Sequence, residues 1–112
     1  MKFFLPKVLL IYLLFNSITS KDEEGTFNIL SYNVGGLPEI ISSSKPSKYT
    51  KLISPKLNDY DIVNCQEDFG YNDDLTSKIE HQYRTDFSGN IPFGNGLMTF
   101  SKYPLHNYKR MK

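Results

Sequence analysis

The sequence predicts an α/β domain, and three observations carry that prediction. Two apolar-rich runs, 28–34 and 61–67, each bring a polar side chain, Asn33 or Glu67, to their ends just before a glycine-containing turn. A segment with helical spacing of apolar residues lies between them, so strand, helix and strand form a βαβ-like unit. A third β-type run, Gly96 to Ser101, closes at Lys102-Tyr103-Pro104.

The first run reads Asn28-Ile29-Leu30-Ser31-Tyr32-Asn33-Val34-Gly35-Gly36-Leu37-Pro38. Gly35 and Gly36 give the backbone freedom to turn and Pro38 cannot donate to a ladder, so the strand is expected to end near Val34 with Asn33 at its terminus. After a Ser-, Lys- and Pro-rich loop from Glu39 to Ser47, Tyr49, Leu52 and Ile53 fall at helical spacing. Ser54-Pro55 can open a fresh turn that carries Leu57 inward. A short broken helix over Ser47 to Asn58 follows. The second run, Asp61-Ile62-Val63-Asn64-Cys65-Gln66-Glu67, delivers a carboxylate to its end, which suggests one site built from two strand ends.

Beyond Glu67, Leu75, Ile79 and Tyr83 share one side of a helix expected over Asp73 to Tyr83, with acidic residues at its positive end. Arg84 to Phe87 is a short strand, and Ser88 to Gly94 is a loop. Cys65, the sole cysteine, reads as a small core residue inside the second strand. His81 and His106 lack a motif and read as surface residues. Asp68 suits a turn or helix cap, Tyr71 either lines the mouth or packs, and Asn72 and Asn95 carry no assigned role.

Length allows one domain at most, and the composition is neither disordered nor repetitive. The formal charge of +1 includes Lys2 and Lys7; without them 11 basic groups face 12 acidic ones, a net of −1. No nucleic-acid or anionic-membrane surface is implied. The cluster Lys109, Arg110 and Lys112 reads as a solvated tail. Residues 1–20 have the layout of a signal peptide: Met1-Lys2, an unbroken apolar run from Val8 to Phe15, and the small polar stretch Asn16 to Ser20 before Lys21. A membrane anchor needs about 20 apolar residues, more than this run offers. Secretion is therefore expected, with cleavage near Ser20.

In order, NILSYNVGGLPE, DIVNCQEDFGY and FGNGLMTFSKYP make residues 27–112 resemble the N-terminal part of the endonuclease/exonuclease/phosphatase superfamily. These are deoxyribonuclease I-like, metal-dependent phosphoesterases, and the likeness is to their secreted, sphingomyelinase-like branch. The resemblance implies the first part of a four-layer α/β sandwich. It implies Glu67 as the principal ligand of Mg²⁺ and Asn33 as a catalytic residue that positions the metal or a phosphate oxygen. Its substrate would be a phosphoester, a lipid or small molecule rather than nucleic acid. Read alone, Asn33 before Gly-Gly suits a turn residue, and Glu67 an exposed strand-end charge.

Family members carry a later Asp-x-Asn motif and a terminal Asp-His pair, neither of which occurs before Lys112. Residues 21–112 are accordingly expected to be the N-terminal portion of a larger domain and inactive as a fragment, with strand Leu97 to Phe100 left uncovered on one face. The other function class is a non-catalytic remnant that binds metal or a partner.

Overall fold

The computed structural model describes residues 24–111; residues 1–23, within which the signal peptide is expected, and Lys112 lie outside them. One mixed sheet organises the chain. Its strands are β1 (Ile29–Asn33), β2 (Ile62–Gln66), β3 (Tyr83–Arg84) and β4 (Met98–Ser101), in the spatial order β1-β2-β4-β3. β1 and β2 run parallel, while β4 is antiparallel to both β2 and β3. The α/β class and the β1–helix–β2 unit therefore stand as read.

Strand alternation puts Leu30, Val63, Cys65, Met98 and Phe100 on one face, by the pairings Leu30↔Val63, Cys65↔Met98 and Val63↔Phe100. The core forms there, where Val63, Cys65, Met98 and Phe100 pack with Val34, Leu57 and Leu75. Burying side chains as large as Val63, Leu75 and Phe100 contributes about 1.5–3 kcal/mol each. The opposite face shows Ile29, Ser31, Asn33 and Asn64 exposed and Thr99 half-buried. Strand Leu97 to Phe100 is open on one face, as expected, but its large apolar side chains lie on the other: Met98 and Phe100 are buried, while Leu97, before β4, stands 52% exposed and Thr99 is half-buried.

Helix α1 (Pro46–Ile53) passes into a 3₁₀ segment (Ser54–Asp59), breaking at Ser54-Pro55 as expected. Glu39 reaches back to accept from the Ser47 N–H (3.2 Å) and the Ser47 hydroxyl, holding the first turn and keeping its own carboxyl below the usual range. The buried stripe is Pro46, Thr50, Ser54 and Leu57. Tyr49 and Leu52 instead face outward. They were the wrong face because the small residues Thr50 and Ser54 let the helix sit close to its neighbours.

The second helix corrects the sequence more strongly. α2 spans only Asn72–Thr76, not Asp73 to Tyr83. Ser54 Oγ donates to the Leu75 carbonyl (2.6 Å) and accepts the Lys78 N–H (3.0 Å). Asn58 brackets the same turn, donating to the Lys78 carbonyl (2.8 Å) and accepting the Glu80 N–H (2.9 Å). Groups that would extend the helix are thus satisfied by the 3₁₀ segment, and the chain leaves to form β3. β3 also begins one residue before the expected strand.

At the starting ends of the parallel pair, Asn28 and Asp61 lock together. The Asn28 N–H donates to Asp61 Oδ2 (2.9 Å) and the Asp61 N–H to Asn28 Oδ1 (2.7 Å). Lys102 Nζ lies 3.3 Å from Asp61 Oδ1, and the Asn28 N–H is the main reason this carboxyl sits below its ordinary range.

Candidate functional site

From that lock the two strands run to a common end. Asn33 pairs with Gln66, so Asn33 closes β1 at the level where Glu67 follows β2. Beyond the ladder, the Val34 N–H donates to the Gln66 carbonyl (3.0 Å) and the Gly36 N–H to the Glu67 carbonyl (2.9 Å). A Cβ on Gly36 would stand 2.5 Å from that carbonyl oxygen. The glycine is there for this close approach. β4 begins at the same edge, and the Asp68 N–H donates to the Gly96 carbonyl (2.9 Å). Three loops, after β1, after β2 and before β4, therefore meet around Glu67.

Asn33 and Glu67 are brought together, in different states of commitment. Asn33 Oδ1 accepts the Gly35 N–H (2.8 Å), a turn bond of the kind the isolated sequence suggests, while its Nδ2 makes no hydrogen bond among the described residues. Glu67 is half-buried and sits in the left-handed region with φ 57°. Among the described residues its carboxylate has neither a hydrogen bond nor an ion pair. A non-glycine residue held in this conformation costs about 1 kcal/mol or more and persists only where its surroundings fix it.

The next residue is the one that sequence reading undervalued. Asp68 is 2% exposed, and its Oδ2 accepts from Asn72 Nδ2 (2.7 Å). It caps no backbone N–H of α2. Burial pushes its carboxyl up to about 6, with the Asn72 amide pulling the other way. Phe69 then packs so tightly under Gly96 that a Cβ there would lie 2.6 Å from the ring. The available signal was the Asp68–Asn72 spacing of four residues around Phe-Gly-Tyr. Burial itself is set by the β4 loop, far away in sequence.

Cys65 is buried and free, and its thiol is pushed up to about 12, first by burial and then by the neighbouring Asp68 charge. It behaves as core, as read, and is no nucleophile near neutral pH. His106 is exposed. His81 overturns the surface reading: it is 8% exposed, its Nε2–H donates to the Tyr60 carbonyl (2.7 Å), and its ring packs on Phe100. Tyr60 precedes β2, so His81 belongs to the end of the sheet away from Glu67.

The basic tail is also more than solvated. Arg110 Nη1 donates to Asn95 Oδ1 (3.0 Å) and the Leu97 carbonyl (3.2 Å), and Nη2 to the Asp86 carbonyl. Asn95, given no role from sequence, joins that clamp and accepts the Leu97 N–H (3.0 Å). A groove of about 430 Å³ lies beside it, lined by Thr85, Leu97, Thr99 and Tyr108 among others, and does not include Asn33 or Glu67. Among the described residues no group of three or more His, Cys, Asp or Glu side chains could hold a metal ion. No helix among them is long and apolar enough to cross a membrane.

With this geometry in place, comparison with known proteins gives a consistent direction. The chain is similar to sphingomyelinases. It is 35% identical over 95 residues to the sphingomyelinase of Mycobacterium bovis and equally to those of two strains of Mycobacterium tuberculosis. Each alignment takes in 77% of this chain and 19% of the relative. The chain thus spans about a fifth of the length of the curated relatives it matches. No protein-family model matches it, and no solved structure does.

Proposed function

We infer that residues 21–112 are the N-terminal portion of a secreted, Mg²⁺-dependent phosphodiesterase of the sphingomyelinase kind, built on a four-layer α/β sandwich and led by a signal peptide over residues 1–20. The observation that carries this reading is the uncommitted Glu67 carboxylate, held at the shared end of β1 and β2 beside Asn33, in a chain similar to sphingomyelinases. One free carboxylate fits Mg²⁺, which keeps several waters and needs one or two protein carboxylates alongside substrate phosphate. It would not suffice for zinc, which takes three or four protein ligands.

Glu67 holds the ion in this reading, and the bound ion supplies charge neutralisation at the phosphoryl and leaving oxygens. Asn33 has its Oδ1 occupied by the Gly35 N–H, so its Nδ2 is the group left to donate to a phosphoryl oxygen. Sphingomyelin is the substrate that the names of the relatives favour, over a nucleic acid, and the net charge after residue 20 agrees.

The test is release of phosphocholine from sphingomyelin by the native secreted product. We expect turnover that needs Mg²⁺ and falls by about 10²-fold or more in Glu67→Gln, the range for losing a principal electrostatic group. Mg²⁺-independent turnover sinks the metal assignment, and a preference for DNA sinks the substrate. Intact-mass analysis of the same material should place its N-terminus near Lys21.

A further inference from the structure

We propose that Asp68 and Asn72 act as a pair that positions Glu67, a role that rests on the reading of Glu67 as a metal ligand. Glu67 cannot hold its own conformation cheaply, since its φ of 57° is the left-handed region. Something must fix the residue on each side. On one side Gly36 donates to its carbonyl. On the other side the chain is held three times: by the Asp68 N–H to the Gly96 carbonyl, by Phe69 packed against Gly96, and by Asp68 Oδ2 accepting from Asn72 Nδ2 at 2.7 Å.

The last of these joins the residue after Glu67 to the first turn of α2, so the Glu67 loop is tied to the helix. Asp68 is buried with its accepting oxygen facing an amide. It therefore acts through its neighbour and not by reaching the ion. Outer-shell partners of this type typically change metal affinity by 10- to 100-fold when removed.

The test uses Mn²⁺, an oxygen-seeking stand-in whose free and bound forms are distinguished by electron paramagnetic resonance, titrated into the purified protein. Asp68→Ala and Asn72→Ala are each expected to weaken Mn²⁺ binding by about 10-fold or more. Asp68→Asn keeps an acceptor oxygen for Asn72 and should stay within roughly threefold of wild type. In both alanine variants the amides of Gly36 and Asp68 should exchange faster with solvent.

If Asp68→Asn loses as much affinity as Glu67→Gln, Asp68 is itself a ligand and the positioning role is wrong. Wild-type affinity in both alanine variants overturns it equally. Asn72 is half-buried, so Asn72→Ala breaks the same bond should Asp68→Ala fail to fold. Unchanged affinity in Glu67→Gln removes the metal site itself, and that outcome is distinct because it does not involve Asp68 at all.

Discussion

Gly36 has no room for a side chain. An alanine Cβ would meet the Glu67 carbonyl oxygen at 2.5 Å and the Phe69 nitrogen at 3.3 Å, both backbone atoms that cannot swing away. Gly36→Ala should therefore destabilise by about 2 kcal/mol, in the usual range for overpacking, and denaturant unfolding will show it as a lower midpoint with unchanged slope. Asp68 predicts a pH dependence. Its folded value of about 6 exceeds the ordinary 3.8, so the folded state binds more protons between those values and stability falls as pH rises from about 4 to about 6. At about 1.4 kcal/mol per unit the fall approaches 3 kcal/mol, and Asp68→Asn in metal-free buffer should flatten it. The ends of β1 and β2 were legible because Gly-Gly-Leu-Pro and Asp-Phe-Gly punctuate them. Asp68 was not, because its environment comes from Gly96.

Among the elements, the 3₁₀ segment governs where α2 stops. Ser54 is fully buried, and its one hydroxyl serves two backbone groups of the turn after α2. Ser54→Ala leaves a carbonyl and an N–H unpaired, so it should cost about 2 kcal/mol and raise hydrogen exchange at Lys78 before the strands open. A flat exchange profile with unchanged stability would mean that the turn is held by Asn58 alone. The periodicity of Leu75, Ile79 and Tyr83 suggested one long helix, since Leu75 is buried and Ile79 packs on the core. Periodicity reports which residues go inward but not what path the chain takes between them. Here side chains 20 or more positions upstream took over the hydrogen bonds that a longer helix would have used. The break at Ser54-Pro55 was readable for the opposite reason: its cause is local.

At the scale of the whole molecule, the sheet is covered on one face and shows Ser31, Asn64 and Thr99 on the other. These three are level across β1, β2 and β4, and Thr99 Oγ1 donates to Asn64 Oδ1 at 2.8 Å. Residues 21–112 expressed alone should consequently bind Mg²⁺ at Glu67 yet release no phosphocholine. General acid-base help of about 10²- to 10⁴-fold has no histidine assigned to it among the described residues, with His81 engaged at the far end of the sheet and His106 exposed, and the Asp68 carboxyl is buried against the Asn72 amide. Mg²⁺-dependent turnover by this piece, abolished in Glu67→Gln, would show a complete small enzyme. The strands β1, β2 and β4 were foreseeable from three punctuated β-type runs, whereas the mixed sense and the strand order were not, since β4 enters antiparallel between β2 and β3 through long-range pairing.

The reciprocal bonds between Asn28 and Asp61 make the parallel strands a pair of rulers with a common zero. Five steps along the chain lead from Asn28 to Asn33, and the same number from Asp61 to Gln66, so the marks coincide at the mouth. Deleting one residue from either ruler would shift its tip by about 3.3 Å and turn Val63 and Cys65, or Leu30, to the wrong side of the sheet. Natural relatives should accordingly vary in length between 34 and 61, where loop and helix absorb the change, and keep both ruled intervals at constant length. An alignment showing insertions inside 28–33 or 61–66 with both strand ends retained would break the rule.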